Sequence, residues 1–313
     1  MITVSDELKA AFLCGNQKHL VLTFSDGTQQ VDEDIYLESM EIEQSLCEEE
    51  QLTYGTTSAA SFKIRILNSG KKFKGLGVTV AISTVGDDDL TYTASLGSYK
   101  VYEDVLSDDR NYRDLTCYDA FHGILDAEYA TWYNALTFPM TMKQFRDAFF
   151  SHVGLTQRTA VLACDNISIP ANTVDSISGA TIIQSICEPS GAFCFVDYDG
   201  YVQYVILGSK AGLYPRTDLY PDDDLYPRVA YDDFFDDTDE NAAPVQDGTV
   251  YGDYDCRRIS EVRVARDTNG SFITVGTTGN TYQFANNPLF TAMSTSTLES
   301  IGRTFIDVVS EIV

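Results

Sequence analysis

The sequence predicts a β-rich α+β protein with two antiparallel β-barrel-like domains and intervening helix-plus-hairpin α+β domains. Three observations lead to this fold class. Short segments rich in β-branched and aromatic residues recur in the first third of the chain and again near its end, separated by polar turns. Apolar residues at helical spacing, followed by a hairpin pattern, occupy the middle. The length of 313 residues is enough for two or three domains, each with its own apolar core.

Residues 1–110 are predicted to form the first β-barrel-like domain. It opens with a short helix that Gly15 ends, because glycine adopts a left-handed cap conformation at little cost. The strands that follow are separated by polar turns such as residues 86–89, a spacing typical of an antiparallel barrel or sandwich. The predicted elements are a helix over Ser5–Leu13, a hairpin of His19–Phe24 and a strand leading to Ile35 and Leu37, and strands around Met40–Cys47, Ser61–Leu67, Val78–Thr84, Leu90–Ala94 and Ser98–Leu106.

Residues 111–212 are predicted to form the α+β part. Thr141 and Ser178 each stand where a helix N-cap is expected, directly before a segment with apolar residues at helical spacing. Asp199-Gly200 is a typical hairpin turn between two apolar strands. The predicted elements are a strand over Arg113–Tyr118, a short helix from Asp119, helices over Met142–Val153 and Gly179–Glu188, and a hairpin of Ala192–Val196 and Tyr201–Ile206.

The composition changes in residues 213–247. These 35 residues contain eleven acidic and two basic side chains, a net charge of −9. The tripeptide Leu-Tyr-Pro occurs three times, starting at Leu213, Leu219 and Leu225. Because proline excludes a continuous helix, we expect an extended, exposed arm, with a disordered spacer as the alternative.

Residues 248–313 are predicted to form a second β-rich part that ends in a helix. The helix begins near Ser296 or Thr297 and shows no cap or stop signal before Val313, which is typical of a chain that continues past this residue. The predicted strands are Ile259–Arg266, Ser271–Gly276 and Thr281–Ala285, and the apolar face of the helix is Leu298, Ile301, Phe305, Val308 and Val309.

The charge balance excludes several classes of protein. With 21 Lys and Arg against 47 Asp and Glu, the net charge is −26, which argues against a nucleic-acid binder and against electrostatic attachment to an anionic membrane. No apolar run approaches the roughly 18–20 residues that a membrane helix needs, and the N-terminus lacks the basic start of a secretory signal. Seven scattered cysteines, an odd number, predict reduced thiols that pack as small apolar side chains.

No set of residues predicts catalysis, a cofactor or a metal site. The acidic runs, such as residues 48–50, 87–89 and 222–224, lie in apparent turns without a pocket to raise a carboxyl pKa. Cys117 and His122 could be a nucleophile and its base, but nothing in the sequence marks the Cys117 thiol as activated. Gly75-Leu76-Gly77 lacks the third glycine of a dinucleotide site. The sequence Asp197-Tyr198-Asp199-Gly200 does not complete a calcium loop, and weak calcium binding within Asp232–Glu240 stays an alternative. Zinc motifs are absent, with the three histidines far apart. The residues therefore indicate an architectural or binding protein.

The order of several short motifs resembles the hub proteins of phage tails and baseplates, including the N-terminal structural region of tail-associated lysins and related contractile injection systems. The resemblance spans nearly the whole chain, although the Leu-Tyr-Pro arm has no counterpart in the family pattern. The residues that carry it are Ser45-Leu46 and Leu52–Gly55, Ala59–Ile66, Leu96–Val101, Asp109-Arg110 with Leu115–Ala120, Ser178–Thr181 before a helix, the Asp199-Gly200 hairpin, and Asn287-Pro288-Leu289 before the last helix.

This resemblance implies a structural role and no enzymatic activity. It implies a homotrimeric ring that joins the tail tube to the tail tip and contacts tube, distal tail, tape-measure and tip or spike proteins. The protein would be made in the bacterial host cytoplasm and reside in the virion, without membrane insertion. The host and the tail type stay open. DNA would pass the ring without specific binding, and the net charge of −26 per copy would keep it from adhering to an acidic lumen.

Two other functions stay as alternatives. The 19 tyrosines suit a carbohydrate- or cell-surface-binding module, although aromatic surfaces are also common in protein interfaces. The abundant carboxylates suit, less well, a peptidoglycan hydrolase that uses acidic residues.

Overall fold

The computed structural model describes residues 11, 17–31, 35–46, 53–86, 88–206, 259–265 and 272–309. Its largest unit is a seven-stranded sheet in which every neighbouring pair is antiparallel. The strand order is β2-β1-β5-β6-β7-β4-β3, and no pairing joins the end strands β2 and β3 within the described residues. The strands are β1 Lys18–Phe24, β2 Gln29–Gln30, β3 Ile35–Glu43, β4 Ser61–Leu67, β5 Gly77–Val85, β6 Thr91–Leu106 and β7 Tyr112–Tyr118.

Two pairs of predicted strands are single strands. Leu90–Ala94 and Ser98–Leu106 were expected to be separate, but both belong to β6, which bends at a bulge where the register with β5 shifts. Gly97 has φ of +133° there, and the Tyr99 ring occupies the space that a Cβ would need. A glycine bulge bends a strand without ending it, so the predicted break between these two segments is wrong. The strand leading to Leu37 and the segment from Met40 likewise join in β3.

The sheet continues past residue 110, because β7 lies between β4 and β6. The inward face of the sheet forms its own apolar core, and alternate residues of β1, β4, β5, β6 and β7 supply most of it. The division of the chain into domains at residues 110, 212 and 247 stays a prediction. The core residues are Leu20, Leu22, Phe24, Ala60, Phe62, Ile64, Ile66, Phe73, Val78, Val80, Tyr99, Val101, Leu115 and Cys117.

The middle of the chain confirms the predicted helices and hairpin. Thr141 caps α3 through a reciprocal capping box with Gln144, and Ser178 accepts from the Thr181 N–H at the start of α4. The elements are α1 His122–Leu125, α2 Ala130–Asn134, β8 Met140–Thr141, α3 Met142–His152, β9 Ser168–Ile169, α4 Gly179–Cys187, β10 Ala192–Val196 and β11 Val202–Ile206, with β10 and β11 antiparallel.

The C-terminal strands correct one expectation, since they do not form a wholly antiparallel sheet. The sheet has the order β13-β12-β14, and β12 and β14 run parallel. After β13 the chain crosses the start of β12 and continues on its other side. Gly276, with φ of +103°, allows the crossing, because a Cβ there would lie 2.2 Å from the Ser260 carbonyl oxygen. The elements are β12 Glu261–Ala265, β13 Phe272–Gly276, β14 Thr281–Gln283 and α5 Thr295–Val309.

The middle and C-terminal parts share one apolar core. It joins buried residues of α3, α4 and β10 to Val262 and Val264 of β12 and to the predicted face of α5, including Leu298, Ile301 and Phe305. The described cysteines are unpaired and buried, as predicted: Cys117, Cys164, Cys187 and Cys194. Within the described ranges, no helix is both long and apolar enough to cross a bilayer. The helix predicted over Ser5–Leu13 (apart from Ala11), the Leu-Tyr-Pro arm and the acidic runs at 48–50 and 222–224 lie outside the described residues.

Candidate functional site

The connection between β3 and β4 docks against the free edge of the β10–β11 hairpin. The carbonyl oxygens of β10 that point away from β11 accept hydrogen bonds from three groups of this connection. The Gly55 N–H donates to Ala192 O at 3.1 Å, Thr57 Oγ1 to Cys194 O at 2.5 Å, and Gln44 Nε2 to Val196 O at 3.0 Å. Alternate carbonyls of a strand point the same way, so the contact covers the whole edge of β10. It joins the large sheet to the helical core, and we call this region the junction.

An aromatic cluster closes the junction on the C-terminal side. The Tyr54 ring is buried and lies 5.5, 5.4 and 5.1 Å from the rings of Phe193, Tyr282 and Phe305. Its backbone N–H donates to the Tyr282 hydroxyl at 3.1 Å. Edge-to-face and offset contacts of this kind stabilise a fixed arrangement of rings. Tyr54 therefore connects the β3–β4 connection, β10, β14 and α5.

Gly55 lies where no other residue fits. Its φ is +79°, and a Cβ would lie 2.6 Å from the Glu188 backbone nitrogen and 2.9 Å from the Gln184 carbonyl oxygen. The close approach of two backbones requires glycine. It places the β3–β4 connection directly against the C-terminal end of α4.

Glu188 is a buried carboxyl group at the centre of the junction, with 1% of its surface exposed. Oε1 accepts from the Tyr282 hydroxyl at 2.9 Å and from the Ala285 N–H at 3.0 Å, whereas Oε2 has no hydrogen-bond partner. Burial raises the pKa of this carboxyl to about 7, because these two hydrogen bonds do not offset the loss of hydration. Near neutral pH the group is thus partly protonated.

Asp119, directly after β7, is a second buried carboxyl group of the junction. Its carboxylate accepts from the Ala60 N–H at 3.0 Å and from the Phe121 N–H at 2.9 Å. Burial raises its pKa to about 6, against the effect of these hydrogen bonds. A small cavity beside it, lined also by Gln44, Tyr99 and Tyr198, has room for about one water molecule. The carboxyl connects the start of β4 to the start of α1.

Asn287 fastens the C-terminal part to α4. Its Nδ2 donates to Ser185 O at 2.9 Å, and its Oδ1 accepts from the Leu289 N–H at 2.9 Å. Asn172 donates to the neighbouring Pro288 O at 2.6 Å. The Asn-Pro turn that the sequence marks is therefore a connection between distant segments.

Comparison with known proteins finds similarity among solved structures. No protein-family model matches the chain, and no curated protein matches it. The 43 kDa tail protein of prophage MuSo2 from Shewanella oneidensis is 13% identical, with a TM-score of 0.43 over 61% of this chain and 56% of that one. A tail protein from Neisseria meningitidis is 11% identical, with a TM-score of 0.45 over 91% and 74%. Prophage tail protein gp18 from Listeria monocytogenes is 12% identical, with a TM-score of 0.42 over 85% and 72%.

A guanidinium group binds both carboxylates of the Asp199-Gly200 turn, the segment compared above with a calcium loop. Arg158 donates to Asp197 Oδ2 at 2.8 Å and to Asp199 Oδ2 at 2.5 Å, and lies 4.3 Å from the Tyr201 ring centroid. Asp197 Oδ1 also accepts from the Tyr201 N–H at 2.9 Å and closes the turn. These contacts give both carboxylates a structural role. In the described part of the chain, no three His, Cys, Asp or Glu side chains are grouped so that they could hold a metal ion.

The Cys117 and His122 pair has no activated thiol. Cys117 is completely buried, and burial raises the pKa of its thiol to about 12, so the reactive thiolate is suppressed. His122 stacks on Tyr118 with ring centroids 4.0 Å apart. Sequence reasoning did not single out Glu188, Asp119 or Gly55 by their chemistry, because their burial follows from contacts with distant segments. The one signal that included Tyr54-Gly55, Asp119 and Asn287 was the family resemblance.

Proposed function

We propose that this chain is a structural tail protein of a phage or prophage, and that three copies form the hub ring between tail tube and tail tip. The observation that carries the proposal is the position of the residues on which the family resemblance rests. Three of them, Tyr54, Asp119 and Asn287, belong to separate motifs, and each makes a hydrogen bond to a distant segment of the chain. The motifs at Asp109-Arg110 and Asp199-Gly200 lie in turns between neighbouring strands. Motif residues that hold distant segments together support a shared architecture.

The chemistry of the junction supports an architectural role. Its carboxyl groups, Glu188 and Asp119, accept hydrogen bonds from backbone N–H groups and a tyrosine hydroxyl. Their raised pKa values follow from burial. Glu188 holds the end of α4 to β14, and Asp119 holds the end of β7 to the start of β4 and of α1.

The proposal includes the following arrangement. Two barrel-like β units, completed by segments of the chain or by neighbouring copies, surround a channel for DNA and the tape-measure protein. The ring contacts the tail tube and distal tail proteins on one side and the tip or spike proteins on the other, within the virion. We place acidic residues on the channel wall, where the net charge of −26 per copy would repel the DNA phosphates and prevent adhesion.

Mass measurement in solution combined with electron microscopy of the purified chain tests the proposal. We expect a three-fold ring with a central pore over a range of protein concentrations, since association follows mass action. A chain that stays monomeric at the highest concentration, or a ring whose pore is lined by neutral or basic residues, contradicts the trimer or the acidic channel respectively. Peptidoglycan hydrolysis by the purified chain would contradict the structural role itself.

A further inference from the structure

Basic residues are concentrated in one acid-free stretch of this acidic chain. Residues 53–86 contain five Lys and Arg and no Asp or Glu, whereas all 47 acidic residues lie elsewhere. Three of the five basic side chains have carboxylate partners: Lys63 pairs with Glu41, Arg65 with Asp114, and Lys71 with Asp26. Lys72 and Lys74 are exposed, and neither has an ion-pair partner in the described part of the chain. No carboxylate among the described residues therefore competes with an external one for these two lysines.

The loop that carries the two lysines is held firmly in place. Phe73, between them, is fully buried and lies 4.3 Å from the Phe24 ring centroid. The Phe73 N–H donates to Asp104 Oδ2 at 2.7 Å, and that carboxylate also binds Arg113 at 2.6 Å. Because the side chain between them points into the core, Lys72 and Lys74 point outward from a fixed backbone. Fixed presentation lowers the entropy lost when an interface forms.

The loop also runs beside exposed apolar residues. The Gly75 N–H donates to Val101 O at 2.8 Å, and the Val101 N–H donates to Leu76 O at 2.9 Å, so the loop lies along the second half of β6. Directly after Asp104 in β6, Val105 and Leu106 are 55% and 38% exposed. An apolar centre with a polar rim is the usual composition of a protein interface.

We propose that Lys72 and Lys74 dock against the acidic surface of a second copy of this chain. The inference rests on the proposed ring and adds the surface by which its copies recognise one another. Copies with a net charge of −26 repel each other, and a place where charges of opposite sign meet offsets this repulsion. In a three-fold ring each interface joins two different surfaces, so the basic loop of one copy meets the acidic surface of the next.

Sedimentation velocity of the full chain tests this surface with a charge-matched pair of variants. Lys72→Glu/Lys74→Glu removes the basic surface, and Lys143→Glu/Arg303→Glu makes the same change in net charge at exposed positions of α3 and α5. We expect the first variant to raise the dissociation constant of self-association at least about tenfold relative to the second. Salt screens both the repulsion between the acidic copies and the attraction of the two lysines, so the difference in dissociation constant between wild type and Lys72→Glu/Lys74→Glu is expected to shrink between about 0.05 and 0.5 M salt.

Controls separate the possible outcomes. Lys72→Arg/Lys74→Arg keeps the charge and is expected to associate like the wild type, and Lys72→Gln/Lys74→Gln gives a milder test if the glutamates prevent folding. A ring that forms unchanged in the glutamate variant overturns the docking surface and leaves the proposed trimer standing. Equal weakening by both charge-matched variants overturns it as well, because the effect then comes from net charge alone. A wild-type chain that never associates contradicts both proposals.

Discussion

Replacement of Glu188 by glutamine is expected to change the pH dependence of stability. The carboxyl has an ordinary pKa of 4.5 in the unfolded chain and about 7 in the folded protein. Between these values the unfolded chain releases its proton first, so stability falls as pH rises, and the loss is complete above the folded pKa. A difference of that size corresponds to roughly 3 kcal/mol, at 1.4 kcal/mol for each pKa unit.

The assay is urea unfolding of wild type and Glu188→Gln between pH 5 and 8, followed by fluorescence of the single tryptophan, Trp132. The amide places an N–H₂ group where Oε2 has no partner, which costs about 1–3 kcal/mol at every pH. The prediction therefore concerns the slope: the difference between variant and wild type shifts by about 2.5 kcal/mol in favour of the variant between pH 5 and 8, mostly below pH 7, and levels off above the folded pKa. Asp119 titrates in both proteins and does not affect this difference.

Glu128→Gln serves as a control whose titration lies below the pH range of the assay, so its stability difference from wild type is expected to stay constant between pH 5 and 8. Glu128 is exposed, and hydrogen bonds from the Ile177 N–H and the Ser176 hydroxyl hold its pKa below the ordinary value. Ionised Glu128 therefore stabilises the folded protein above the ordinary pKa of a glutamate, and this stability is lost as the pH falls through the lowered pKa. Parallel pH profiles for wild type and Glu188→Gln would refute the assignment of Glu188 as a buried carboxyl that is costly to ionise.

Three further predictions concern the packing. Gly55→Ala is expected to destabilise the protein by several kcal/mol in thermal unfolding, because it adds a backbone clash to a positive φ. Gly200→Ala has a φ of +84° but open space around the new Cβ, and is expected to cost about 1–2 kcal/mol. Equal effects of the two substitutions would contradict the close approach at Gly55. Asp104→Ala leaves the Arg113 charge buried and is expected to cost about 3–5 kcal/mol in urea unfolding, against little change for Glu41→Ala, which removes only an exposed pair with Lys63. A small effect for Asp104 would contradict the buried pair. Reaction with a thiol reagent is expected to label at most three of the seven cysteines before unfolding, and labelling of Cys117, Cys164, Cys187 or Cys194 in the folded protein would contradict their burial.

Local patterns of the sequence determined the middle of the chain well. Thr141 and Ser178 were recognised as helix caps because a cap depends on a side chain and the N–H groups of the next three residues. The Asp199-Gly200 turn was recognised because Gly200 adopts a positive φ at that point. The apolar face of α5 followed from helical periodicity alone. In each case the deciding interactions lie within one or two turns of backbone.

Only the tertiary structure decided how these elements meet. The position of β7 inside the large sheet and the parallel pairing of β12 with β14 depend on strands that are distant in sequence. The burial of Glu188 depends on Tyr282 and Ala285, more than 90 residues away along the chain. The sequence by itself determined the capped helices α3 and α4, the hairpin of β10 and β11 and the apolar face of α5, because capping, turn formation and periodicity act over a few residues. Sheet order and the environment of a buried carboxyl arise from contacts between distant segments, and no local pattern encodes them.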